Sequence, residues 1–193
     1  MTTQKIKEIK PPFGKKEAAA LRAGDTALFC GVIYTARDAA HKRIQDSIFN
    51  GEKPPLDLEN QIIFYAGPSP APPGRVIGSI AATTSERMDC FLETIFKLGV
   101  CGTIGKGERS PLAVSLCKKY GGVYFLSVGG AAALTSSLVK SCSEEAYADL
   151  GSESIKRLEV ENLPLIVGID SLGGVFGPSE IEKYSRVKKD RFL

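Results

Sequence analysis

The stretch MDCFLETIFKLGVCGTIGKGERSPLAVSLCKKYGGVYFLSVGG, Met88 to Gly130, decides how this chain folds. Met88, Phe91, Leu92, Ile95 and Phe96 recur at i, i+3, i+4, i+7 and i+8, the apolar stripe of an amphipathic helix. Gly99 ends that helix, and Val100–Ile104 follows as a short apolar strand. Ser110-Pro111 is an N-cap with proline at the first helical position, so a second helix runs to Lys119 and closes at Gly121-Gly122. Val123–Val128 returns as a strand, and Gly129-Gly130 leads into a helix over Ala131–Lys140 that is rich in small residues.

The same alternation extends outward. Towards the N-terminus, Thr26–Ile33 reads as a buried strand, and Arg37–Phe49 has helical spacing through Ala40, Ile44 and Ile48. Gly51 and Pro54-Pro55 stop that helix, and Gln61–Tyr65 is another strand. A loop through Gly67, Pro68, Pro70, Pro72, Pro73 and Gly74 leads to a short strand over Arg75–Ile80. Towards the C-terminus, strands recur at Ile155–Val160 and Leu165–Ile169. Strands alternating with helices of this length indicate an α/β domain with a partly parallel sheet.

Composition bounds the function. A chain of 193 residues with 43% apolar and 24% charged residues reads as one ordinary globular domain over residues 1–193, with 179–193 a loose basic tail. A net charge of +3 gives no reason to expect a nucleic-acid partner. No apolar stretch approaches the ~18 residues of a membrane span, and Met1–Lys10 lacks the apolar centre of a signal peptide, so a cytoplasmic protein is expected. Cys30, Cys90, Cys101, Cys117 and Cys142 form no CxxC pair and are read as reduced, mostly buried thiols; no metal site is expected within this chain.

Three expected strand-to-helix junctions carry a cation where the helix begins: Arg37, Arg87 and Lys106. The first turn of a helix is already positive, so a cation there is disfavoured unless an anion is bound nearby or the side chain turns to solvent. Arginine and lysine at the carboxyl ends of parallel strands suit a carboxylate or a phosphate. Gly105-Lys106-Gly107 lacks the GxxxxGK[ST] pattern of a nucleotide loop, because Glu108 and Arg109 follow. Thr83-x-x-Glu86 fits a capping box, and the alternative is a Thr83 or Thr84 hydroxyl that meets substrate. His41, the one histidine, lies four residues after Arg37 and shares its helix face, in a structural or a catalytic role.

Read together, GVIYTARDAAHKR (Gly31–Arg43), IIFYAGPSP (Ile62–Pro70), TTSERMD (Thr83–Asp89), GTIGKG (Gly102–Gly107) and SVGGAAAL (Ser127–Leu134) resemble the β region of class I fumarases and L-tartrate dehydratases. The resemblance covers about Gly24 to Asp170. It implies a swivelling β/β/α domain like the mobile domain of aconitase-like enzymes. It also implies an α-subunit partner, in an α2β2 assembly, that holds a [4Fe-4S] cluster, while this chain binds none. Arg37, Arg87 and Lys106 would bind a C4 dicarboxylate, Thr83 would act as base at carbon, and His41 and Thr84 would support them. The expected reaction is the hydration of fumarate to malate, with tartrate dehydration as the near alternative and a non-catalytic anion-binding module as the distant one. The family usually has Gly-Pro before the two threonines, and this chain has Ala81-Ala82 there.

Overall fold

The computed structural model describes residues 6–127 and 132–177. In chain order it runs β1 (Lys7–Ile9), α1 (Lys15–Ala19), β2 (Thr26–Thr35), α2 (Asp38–Phe49), β3 (Ile62–Phe64), α3 (Asp89–Lys97), β4 (Gly102–Gly105) and α4 (Pro111–Tyr120). There follow β5 (Val123–Ser127), α5 (Ala132–Ser137), β6 (Val139–Ala146) and β7 (Ile155–Ile169). Short 3-10 turns cover Glu86–Met88 and Ala148–Glu153.

Strands β2, β3, β4 and β5 are parallel and adjacent in sequence order. The long β7 then pairs antiparallel with β5 on one edge and with β2 on the other, which closes these five strands into a small barrel-like ring. β1 extends the ring beside β2, and β6 extends it beside β7. Helices α2, α3 and α4 all bury their apolar stripes in one cluster with Ile63, Tyr65 and Tyr124 of the β3–β5 region. Sequential strand order with the helices in one cluster is what a closed sheet requires; an open doubly wound sheet would reverse its order. The ring encloses the other core, around Phe29, Ile33, Phe64, Ile104, Phe125 and Val167.

One close approach shapes β2. Gly31 has φ +134°, and a Cβ there would overlap the ring of Pro11. The register between β2 and β7 shifts beside it, between Phe29 and Gly31. This bulge lets a ten-residue strand bend around the barrel.

Several sequence expectations need correction. Arg75–Ile80 forms no strand. Four prolines precede it without an N–H to offer a ladder, and the segment is held by single bonds such as Ser69 N–H to Ser79 O (3.0 Å). The helix placed over Ala131–Lys140 ends at Ser137, because Val139 starts β6, an edge strand too exposed to show alternation. Its beginning, with Gly129-Gly130, lies outside the described residues, as do residues 179–193. The two C-terminal strands are one, continuous through Pro164. That proline falls between the part of β7 paired with β6 and the part paired with β5, where one edge has no ladder to lose.

Candidate active site

The site lies where β2, β3 and β4 end. Arg37 is the N-cap of α2, in extended backbone two residues beyond β2. Its guanidinium lies 3.6 Å from Glu153 Oε1, and its buried Nε has no partner. The other Glu153 oxygen accepts the Ala39 N–H at 3.0 Å, so a carboxylate of the chain itself sits on the start of α2. That placement follows from the unpaired N–H groups and partial positive charge of a helix N-terminus.

Residues 83–85 are stitched between the ends of two strands. Thr83 N–H donates to Tyr65 O (2.7 Å), Lys106 N–H to Thr83 O (3.2 Å), and Ser85 N–H to Lys106 O (3.0 Å). Thr84 and Lys106 therefore face each other as a parallel bridge. Ser85, not Thr83, caps the turn that leads into α3, and no side-chain capping bond is made. The capping box expected of Thr83 does not form, because its backbone is engaged in this extended stitch. Its hydroxyl instead accepts a 2.9 Å hydrogen bond from Arg87 Nη2, which also donates to Asp38 Oδ2 at 3.0 Å.

Arg87 sits in the 3-10 turn just before α3 and does not follow a strand. Lys106 stands at the end of β4, well before α4 begins, so it is not a helix-start cation; its side chain is exposed. Of the three cations read as helix-start residues, only Arg37 and Arg87 keep that description. The segments that bear them meet: Arg87 bonds to the residue after Arg37, and the Lys106 backbone is bridged to the residue after Thr83.

His41 is buried beneath this end of the sheet, with Nδ1 2.8 Å from Arg37 O. Because a carbonyl only accepts, Nδ1 carries the proton, and the buried Nε2 has no partner. Its ring packs against Tyr65 and Phe91. Burial pushes its pKa down to about 4, so the ring is neutral under ordinary conditions. The structure thus fits His41 as a support of the Arg37 carbonyl.

Ala81-Ala82 keeps ordinary backbone. Among the described residues, positive φ outside glycine occurs at Asn60, Tyr147 and Asn162 alone. Ala82 is buried in the barrel core and bridges Ala66, so the departure from Gly-Pro is absorbed by packing.

Sequence reasoning missed a buried ionic group directly below. The Arg109 side chain is fully buried, and its Nε is bonded to Asp89 Oδ1. Its guanidinium carbon lies 4.8 Å from the Tyr124 ring centroid and 5.5 Å from that of Tyr65. Asp89 Oδ2 also accepts from Ser110 N–H (2.8 Å) and Ser110 Oγ (2.5 Å). Ser110 therefore caps α4 by holding Asp89 rather than a backbone N–H of its own helix. Asp38 and Glu153 were missed as well; both are acidic residues whose partners come from other parts of the chain.

The family model described as Fumarase C-terminus matches residues 2–177. The chain belongs to the fumarase C-terminus family. It is 34% identical over 178 residues to fumarate hydratase 2 of Leishmania major, covering 90% of this chain and 31% of that protein. It is 37% identical over 148 residues to the aerobic class I fumarate hydratase of Escherichia coli (strain K12), covering 76% and 27%. It is 39% identical over 165 residues to a putative L(+)-tartrate dehydratase subunit beta of Methanocaldococcus jannaschii, covering 82% of this chain and 85% of that protein. The chain thus spans about a third or less of the fumarate hydratases it matches, and nearly the whole length of the tartrate dehydratase subunit.

The iron-sulfur cluster that the sequence resemblance implies for the assembled enzyme needs ligands such as cysteine thiolates. All five cysteines are free thiols; Cys101 and Cys117 are buried in different core clusters, and Cys90 is exposed. Burial pushes the Cys117 thiol up to about 12, the reverse of what a thiolate ligand needs. Among the described residues no group of three or more His, Cys, Asp or Glu is placed to hold a metal ion. These residues do not fit an iron-sulfur cluster. No helix among them is long and apolar enough to cross a membrane.

Proposed function

We propose that this chain is the β subunit of a two-subunit hydro-lyase that hydrates fumarate to malate. The observation that carries this reading is the Arg87 guanidinium bonded to both the Thr83 hydroxyl and Asp38, the residue after Arg37, with the Lys106 backbone bridged to Thr84, in a member of the fumarase C-terminus family. Arg37 and Arg87 bind the two ends of a C4 dicarboxylate through their planar donor forks, and Lys106 adds a third positive charge. Thr83 Oγ takes the proton from carbon in the dehydration direction and returns it in hydration. A threonine hydroxyl is a weak base, and the Arg87 guanidinium donating to it favours its charged form. Thr84, through its backbone bridge alone, supports Lys106, and His41 Nδ1 supports the Arg37 carbonyl.

The iron-sulfur cluster of the enzyme belongs, in this reading, to an α subunit, in an α2β2 assembly in the cytoplasm. Residues 1–193 act as one swivelling β/β/α domain, like the mobile domain of aconitase-like enzymes, that brings the cations to the partner's surface. The barrel with three helices packed as one layer is compatible with such a rigid unit. A tartrate dehydratase is the second reading. The M. jannaschii relative named as such a subunit matches this chain along 85% of its own length, and tartrate offers the same two carboxylates.

Anaerobic co-expression with the candidate α subunit, followed by assay on fumarate, malate and tartrate, tests both. Malate formation with the pair and none with this chain alone supports the main reading. Turnover of tartrate alone moves the assignment to the second, and malate formation by the isolated, metal-free chain refutes the two-subunit scheme.

A further inference from the structure

Tyr124 lies in β5 with its side chain buried among the helices, and its hydroxyl reaches two loops at once. It donates to Gly107 O at 3.0 Å, beyond Lys106, and meets Ser85 Oγ at 3.1 Å, beyond Thr83 and Thr84. A phenol has one proton and two lone pairs, so Gly107 O takes the proton and the Ser85 hydroxyl donates back. The two loops also touch at Gly105, where a Cβ would overlap Ser85 Oγ. Only a glycine allows that approach.

The Tyr124 ring itself is held. The Arg109 guanidinium stacks on it, fixed by Asp89, and Asp89 ties the start of α3 to Ser110 at the start of α4. A buried ion pair is expensive to desolvate and is seldom kept for stability alone. Here its members come from the sequence neighbours of the candidate site: Asp89 two residues after Arg87, Arg109 three after Lys106. Burial pushes the Tyr124 phenol up to about 12, so it stays a neutral donor.

We infer that Tyr124 is a positioning residue: its hydroxyl latches the turn bearing Thr83, Thr84 and Arg87 to the loop bearing Lys106, and the Asp89–Arg109 pair aims the latch. A plain core tyrosine would need one partner anywhere. This one joins the two loops that carry the candidate substrate groups. The kinetic side of the inference rests on the function proposed above; the structural side does not.

The test is Tyr124→Phe, which keeps the ring and its stacking on Arg109 and deletes only the latch. In the full chain, amide exchange at Ser85 and Lys106 should quicken about tenfold or more, while Thr103 and Phe125 in the neighbouring strands keep their protection. In the enzyme reconstituted with the α subunit, kcat should fall roughly ten- to a hundredfold, because misplacement of about 1 Å at a reacting centre costs that much. In a Thr83→Ala background the same change should cost clearly less in kcat than it does in the wild type, since the hydroxyl is gone and only Arg87 and Lys106 are left to aim. Ser85→Ala, which breaks the latch from the other side, serves if Tyr124→Phe does not fold. Unchanged exchange at Ser85 and Lys106 overturns the inference, and so does a kcat loss that simply multiplies that of Thr83→Ala. If the reconstituted wild type turns over no dicarboxylate, the proposed function fails while the exchange measurement still decides the latch.

Discussion

Arg87 Nη2 donates to Thr83 Oγ1 at 2.9 Å while the same nitrogen holds Asp38 at 3.0 Å. The hydroxyl is thus oriented by a guanidinium that is itself steered by the first residue of α2. This geometry separates two roles for Thr83. It makes no helix cap, so Thr83→Ala should leave stability within about 1 kcal/mol, the value of one partly exposed hydrogen bond. If Thr83 is the base at carbon, the same change lowers kcat of the reconstituted enzyme by roughly 10²–10⁴. Thr84→Ala, on the exposed neighbour, should leave turnover nearly intact. Urea unfolding read beside kcat decides it, and a loss of turnover confined to Thr84→Ala would transfer the role to Thr84.

Arg87→Lys follows from the same relationship. An ammonium keeps the charge but reaches one of Asp38, Thr83 and substrate rather than several at once. The loss of one charge-assisted hydrogen bond, about 1.5–3 kcal/mol, should lower kcat/KM by roughly 10- to 150-fold. Stability should change little, because the Arg87–Asp38 pair is about half exposed. Near-normal kinetics would make Arg87 a surface arginine.

Glu153 forecasts the opposite sign. Its carboxylate sits on the start of α2 beside Arg37, where an incoming carboxylate would bind. Glu153→Gln retains an acceptor for the Ala39 N–H and removes the competing charge. KM for the dicarboxylate should fall several-fold with kcat unchanged, and the helix should lose only about 0.3–1 kcal/mol of dipole stabilisation. A raised KM would show that Glu153 aims Arg37 instead of competing with substrate.

How much of this was legible in the sequence follows from which forces are local. The α3 stripe from Met88 to Phe96 is visible because helical periodicity is written in adjacent residues. The cations and threonines were legible as types and spacings. Closure of the barrel was not, since β7 meets β2 only after most of the chain has intervened, and no residue of either strand announces its partner. β6 was invisible for a different reason: an exposed edge strand carries no apolar alternation. The Arg109–Asp89 pair left no mark in the sequence, because burial of a charge depends wholly on a partner brought in by the fold. Glu153 was hidden likewise, as its role arises from a turn that packs on α2.

The last prediction concerns pH and His41. Its pKa falls from 6.5 to about 4 on folding, chiefly because burial excludes the charged ring; Arg109 adds to that, while the Arg37 carbonyl and Asp38 oppose it. Tyr65 and Phe91, packed on the ring, offer no charge to stabilise a protonated form. Below pH 6.5 the unfolded chain takes up a proton that the folded chain refuses, so stability must fall as pH drops from about 6.5 towards 4. The loss can reach roughly 3 kcal/mol, and it is absent above neutrality. Carboxylates titrate at the lower end of this window, so wild type alone does not isolate the effect. His41→Asn supplies the reference: its amide nitrogen can still donate to the Arg37 carbonyl, but it does not ionise. Urea unfolding at pH 7.5, 6 and 5 should show the variant less stable than wild type at pH 7.5, from the smaller side chain in a packed core. The gap should narrow steadily towards pH 5. A gap that stays constant with pH would mean that His41 titrates alike in the folded and unfolded chain.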